Sequence, residues 1–247
     1  MKGSLNDRVL AKKVSLIFSL LPIGIVASVI NSSIISVLMW NVITRFWIIF
    51  WLLTHLFLAF LRIAMFTVFK SDTKKIQHAN RWKILFSYFL MISGGIWGSA
   101  AFFGLFHNSI AYQMLVAVVL AGMCSGAAAI YSALRVTYYG FTIPTLVPQI
   151  ALFFMMGTPI HLAIAIMLIL FIILISLSAE TNHSIISSNY RLLFKNEDLI
   201  GYLKESNENA QMEITRRKQV ESELLKSRAE LEEKVKDRTF ALSLAND

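Results

Sequence analysis

Residues 160–177 read IHLAIAIMLILFIILISL, and the polar stretch Ser178–Asp247 follows with no intervening proline. Beyond Pro159 the chain contains no other proline, and Gly201 is its only glycine. An apolar run of this length suits a bilayer core, which needs about 20 helical residues. With no residue to stop it, the helix is expected to continue from the run into the charged tail. The chain therefore reads as a membrane part joined to a long polar helix.

Working backward, five more apolar runs precede this one, at Val14–Met39, Phe46–Phe69, Ile84–Phe106, Ile110–Leu134 and Gly140–Met156. The last two of the six are short, and Gly157, Thr158 and Pro159 between them spell a tight turn. A re-entrant pair is the alternative, but neither run carries a charge, which favours two short spans. Charged residues make up 15% of the chain and mean hydropathy is +0.63, against about 25% charge in a soluble domain. The fold class is thus all-α and integral to a membrane: a basic segment at 1–13, a six-helix transmembrane bundle at 14–177, and a cytoplasmic coiled-coil helix at 178–247. A secretory leader is not expected, because the first run is too long and no cleavage pattern follows a shorter one.

Loop charges set the orientation. Lys2, Arg8, Lys12 and Lys13 precede the first run; Lys70, Lys74, Lys75, Arg81 and Lys83 separate the second and third; Arg135 separates the fourth and fifth. Six spans place all of these on one side, as the positive-inside rule requires, and both termini then lie in the cytoplasm. Trp40, Trp47, Trp51 and Trp82 sit near run ends, where an interfacial belt is expected. The basic pI of about 9.6 is accordingly an orientation signal. A nucleic-acid partner is not expected, because the positives lie between apolar runs and not on one soluble face. Cys124 is the single cysteine, so neither an internal disulfide nor a cysteine-paired metal site is available.

Within the spans, Gly94 and Gly98 form one G-x-x-x-G pattern and Gly122 and Gly126 another, predicting close packing of the third and fourth spans, with a dimer seam as the alternative. Pro144 and Pro148 each free a carbonyl one turn back and predict a kink, or a hinge beside a small pocket. Ionisable groups at membrane depth are costly and mark candidate sites. His55 and Arg62, seven residues apart, share a helix face. Snorkelling toward the headgroups is the simpler role for Arg62, and an interhelical hydrogen bond the simpler role for His55. His55, His107 and His161, with Met114, are the candidates for a metal or pH-sensing site, but no spacing among them makes a ligand set. No metal or cofactor is expected. Tyr131, Tyr138, Tyr139 and Gln149 read as packing residues.

The tail carries heptads with position a at Leu193, Ile200, Asn207, Ile214, Glu221, Arg228, Val235 and Leu242. Position d falls at Asn196, Leu203, Ala210, Arg217, Leu224, Leu231, Arg238 and Ala245. Most of these are apolar, which predicts a parallel two-stranded coil and hence a homodimer. Asn207 at position a favours two strands at some cost in stability, and Arg217, Glu221 and Arg228 weaken the middle of the seam. The alternative is a single exposed helix laced by pairs such as Glu232 with Lys236.

Several stretches carry a resemblance. Arg81-Trp82 opens the third span, Gly94-Gly95-Ile96-Trp97-Gly98 lies within it, and Val119-Leu120-Ala121-Gly122-Met123 lies in the fourth. In the tail come Asn196-Glu197-Asp198-Leu199, Ile214-Thr215-Arg216-Arg217-Lys218-Gln219-Val220-Glu221 and Glu232-Glu233-Lys234-Val235-Lys236-Asp237-Arg238-Thr239. With these the chain resembles, over nearly its whole length, the N-terminal membrane sensor region and linker of bacterial sensor histidine kinases and diguanylate cyclases. The last two segments resemble the linkers that follow or precede PAS, kinase and cyclase domains. The resemblance implies a place in the bacterial inner membrane and in signal transduction of the two-component kind.

It also shows what is missing. His183 is followed by Ser184-Ile185-Ile186 and lacks the Glu and Arg-Thr/Asn-Pro pattern of a phosphoacceptor helix. Neither an ATP-lid motif nor a Gly-Gly-Asp/Glu-Glu-Phe or Glu-Ala-Leu signature occurs. No catalytic residue is therefore expected in this stretch. The expected function is a sensory input module that passes a signal through a dimeric coil to a kinase or cyclase output, supplied in trans or beyond a truncated end. A small transporter or channel is the alternative, drawing on His55, Arg62, Pro144 and Pro148. No inverted repeat supports it. A membrane enzyme would need a nucleophile, base and orienter at a recognisable spacing, and none is found.

Overall fold

A computed structural model describes the backbone at 4–106 and 109–245 and the side chains at 4–104 and 109–239. The described residues are helical apart from short connections, with no strand among them. The helices are α1 (Leu5–Leu38), α2 (Arg45–Ser71), α3 (Lys75–Gly98), α4 (Ile110–Tyr131), α5 (Arg135–Met156) and α6 (Pro159–Ala245), with a 3-10 segment Ser99–Phe106 after α3. Six helices are long and apolar enough to cross a membrane.

The helices follow the apolar runs, but the third run passes into 3-10 geometry at Ser99, α4 ends at Tyr131 short of Leu134, and α1 and α3 start well before their runs. In α1 the Ser4 hydroxyl accepts from the Asp7 amide while the Asp7 carboxylate accepts from the Ser4 amide, each at 3.2 Å. This capping box starts the helix at Leu5, ahead of Val14. Similarly, the basic stretch from Lys75 is helical and joins α3. The turn expected at 157–159 is present. Gly157 closes α5 with φ at 65°, a left-handed conformation that suits glycine, and α6 begins at Pro159, where a missing N–H costs nothing.

By contacts the chain divides into two units, Met1–Phe194 and Lys195–Asp247. The polar part of α6 was expected to leave the bundle at Ser178. Instead residues 178–194 belong to the first unit, where Ala179 and Phe194 are buried. In the second unit every described side chain is exposed.

The core of the first unit is aromatic at one end. Phe18 of α1 stacks on Phe69 of α2 with centroids 4.0 Å apart and meets Phe86 of α3 at 5.2 Å and Trp82 at 5.6 Å. The glycines expected to join the third and fourth spans do not meet. Gly94 and Gly98 of α3 pack on α5: a Cβ at Gly94 would overlap the Phe141 carbonyl, and one at Gly98 the Pro144 carbonyl. Pro148 has no N–H to offer Pro144, so that carbonyl is free to take a close backbone neighbour. Thr145 adds a cross-link, its hydroxyl lying 2.7 Å from the Phe141 carbonyl and 3.2 Å from that of Gly94. The two prolines thus shape a helix contact within an unbroken α5. Gly122 and Gly126, by contrast, have no neighbour within 4 Å of a built Cβ.

Candidate functional site

One stripe in the middle of α2 is buried, while the other side chains there are exposed or partly exposed. It comprises Trp51, His55, Leu58, Ala59 and Arg62, spaced three or four apart as one helix face demands. Trp51 is therefore a core residue and not part of an interfacial belt; its indole donates to the Ile96 carbonyl at 3.1 Å. His55 lies between two indoles, 4.2 Å from the Trp51 ring and 4.5 Å from the Trp97 ring. The interhelical hydrogen bond expected of it is absent at Nε2, which has no partner, and Trp97 Nε1 has none either.

Arg62 does not snorkel. Its side chain is buried at 3% exposure. One terminal nitrogen donates to the Ser93 hydroxyl at 2.7 Å, the guanidinium lies 5.7 Å from the centre of the Phe89 ring, and Nε has no acceptor. The two acidic residues before Leu177 are both engaged elsewhere. Asp7 serves the α1 cap. Asp72 accepts from the Trp82 indole at 2.8 Å, the Lys74 amide at 2.8 Å and His78 Nδ1 at 3.0 Å. Those hydrogen bonds, Trp82 first and Lys74 next, hold the Asp72 carboxyl down at about 2. Arg62 therefore has no counter-ion among the described residues.

Arg62 lines a cavity of about 370 Å³ between α1 and α4, which Gly24, Gly122, Gly126, Tyr131 and Phe141 also line. Gly122 and Gly126 are exposed, so the cavity opens sideways as a groove. The periodicity of α2 placed His55 and Arg62 on one face, but no sequence signal paired that face with the glycines of α4.

The histidines do not converge. His161 is a hydrogen-bonded core residue: Nδ1 lies 2.6 Å from the Thr158 hydroxyl and Nε2 2.6 Å from Gln113 Oε1, while Gln113 Nε2 donates to the Gly104 carbonyl at 3.0 Å. His107 lies outside the described residues, and Met114 is exposed. No group of three or more His, Cys, Asp or Glu capable of holding a metal occurs among the described residues.

A second polar assembly ties α6 to the bundle just past its apolar run. Arg135 pairs with Glu180 at 2.7 Å, and the Tyr139 hydroxyl donates to the same carboxylate at 3.2 Å. His183 Nδ1 lies 3.1 Å from the Ser132 carbonyl, which can only accept, so Nδ1 carries the proton. Lys13 donates to the Ser187 hydroxyl, and Arg8 lies over the Phe194 ring at 4.3 Å. These contacts reach α6 from α1, from the α4–α5 turn and from α5. Sequence reading missed them because none has a local spacing.

No family model, curated protein or solved structure matches this chain.

Proposed function

We propose that the chain is a membrane-embedded sensory input module of a bacterial signal-transduction protein. In this reading the six apolar helices insert in the inner membrane with both termini cytoplasmic. A change in the bundle passes along α6 into a dimeric coil over 195–247, and from there to a kinase or cyclase output. Large apolar side chains such as Phe50, Phe57, Phe60, Val118, Met155 and Leu174 are exposed. Lipid is the solvent that makes such a surface favourable.

The observation that carries the reading is the polar assembly on α6. Its segment 178–194 is held by Glu180, His183, Ser187 and Phe194, on partners from several elements. A rearrangement of α1 or α5 is therefore felt at the base of the coil. Small rotations or shifts of a helix at such an interface are a known kind of switch. The seam beyond is weak at Arg217, Glu221 and Arg228, as a two-state coil requires.

The test joins the chain in frame to a diguanylate cyclase output domain and follows output across a panel of growth conditions. The wild-type fusion changes output across the panel. Replacing Arg217, Glu221 and Arg228 together by leucine strengthens the seam and holds output at one level. The reading fails if the leucine variant tracks conditions as the wild type does. Solute flux by the purified chain in proteoliposomes would point to a transporter instead.

A further inference from the structure

A guanidinium buried among apolar helices without a counter-ion is unfavourable unless something neutralises it. Arg62 has a hydroxyl at one terminal nitrogen, a ring beside it, and an Nε–H with no acceptor. It borders a groove with open space where Gly122 and Gly126 lack side chains. At about 370 Å³ the space falls within the roughly 300–1,000 Å³ of small-molecule sites. Apart from Arg62, Asn31 and the Tyr131 hydroxyl, its walls are apolar, and its mouth at Gly122, Gly126 and Val118 is on the exposed side of α4.

We propose that the groove between α1 and α4 binds an anionic amphiphile from the bilayer, with its carboxylate or phosphate on Arg62 and its acyl chain along the Gly122–Gly126 face of α4. The planar fork of arginine suits either oxyanion, and a charge-assisted bond would give the buried cation a partner. Arg62 lies seven residues inside the end of the apolar run, about 10 Å along the helix. That depth suits an acyl chain entering sideways and disfavours a soluble anion. Binding would replace an unpaired buried cation by a paired one, which makes the amphiphile a candidate stimulus. The inference rests on the membrane placement proposed above but not on signalling, so binding is measured apart from any output.

The experiment is native mass spectrometry of the full chain in non-ionic detergent. The probes are oleate against oleyl alcohol, and dioleoyl phosphatidylglycerol against dioleoyl phosphatidylcholine. One anionic molecule per chain is expected to bind saturably, with neutral counterparts at least about 30-fold weaker, as loss of a buried charge partner implies. Oleate alone binding identifies a free fatty acid; phosphatidylglycerol alone identifies a headgroup; either supports the site. Arg62→Gln is expected to lose the preference for anions. Gly126→Leu fills the groove where a Cβ meets nothing, and leucine is the better helix former. It is expected to fold and to lose the adduct. Equal binding of neutral and anionic probes, no binding of either anion, or wild-type binding by Gly126→Leu overturns the proposal. So does conversion of a dimer to a monomer by Gly126→Leu without any anionic adduct in the wild type, which would give the groove to a second copy.

Discussion

Arg135 and Glu180 meet at 2.7 Å, joining the first turn of α5 to α6 three residues beyond the apolar run. The pair is partly exposed, at 59% and 34% of the two side chains. Exposed pairs of this kind contribute about 0–1 kcal/mol. Glu180→Ala should therefore leave the melting temperature in detergent nearly unchanged. In the cyclase fusion it should shift basal output, because it loosens α6 from α5. The exchange Arg135→Glu with Glu180→Arg should return output toward wild type. Unchanged output in Glu180→Ala would remove this pair from the signalling path.

Gly98 predicts a stability effect that Gly95 does not share. A methyl at Gly98 would run into the Pro144 carbonyl and crowd the Pro148 ring, whereas one at Gly95 meets nothing within 4 Å. Backbone cannot swing aside as a flexible side chain can. Gly98→Ala should cost about 1–3 kcal/mol by overpacking, while Gly95→Ala should be neutral or slightly stabilising through helix propensity. Thermal unfolding in detergent reads both. Equal effects at the two positions would mean that α3 does not seat on α5 here.

What the sequence disclosed follows from what each signal sums over. Hydropathy adds over some twenty residues, so all six runs became helices. Single residues moved the boundaries: the Ser4–Asp7 cap carried α1 back to Leu5. The glycine patterns announced close approach but not the partner. Gly94 and Gly98 chose α5, where Pro148 had stripped the Pro144 carbonyl of its donor, and left Gly122 and Gly126 open. A seven-residue spacing placed His55 and Arg62 on one face, since two turns of helix return to the same side. Ser93, Trp97 and the α1–α4 groove come from other helices, and no local pattern encodes them. The coil was expected to begin at 178, although the heptads start only at Leu193, and the stretch 178–194 places Glu180, His183 and Ser187 on bundle partners.

Asp72 makes the α2–α3 turn sensitive to acid. Its carboxyl is held at about 2, against an ordinary 3.8, by the Trp82 and Lys74 hydrogen bonds. The folded state thus favours the ionised form. The resulting stabilisation is fully present above pH 3.8 and is lost as pH falls through about 2. Asp72→Asn should melt lower than wild type near neutrality, and the gap between the two should close as pH drops through that window. A gap independent of pH would assign Asp72 a purely steric role.

The exposed stripe in 195–239 predicts a specific cross-linking pattern. Ile200, Leu203, Leu224, Leu231 and Val235 are between 56% and 69% exposed in the single chain, a surface unfavourable in water. Arg217 pairs with Glu213 at 3.0 Å and Arg228 with Glu232 at 3.1 Å, each four residues apart on its own helix. Arg228 thus takes the Glu232 that sequence spacing had assigned to Lys236. These pairs keep both arginines occupied at the weak part of the seam without closing it. With the buried Cys124 replaced by alanine, cysteines at Leu224 and Leu231, both position d, should form intermolecular disulfides in membranes under mild oxidation. A disulfide needs Cα atoms within about 7 Å, which a parallel coil provides at d but not at the outward position of Lys226. Lys226→Cys should therefore stay monomeric on non-reducing gels. Cross-linking at all three positions alike would describe random collision, and none at any would leave the tail a single helix.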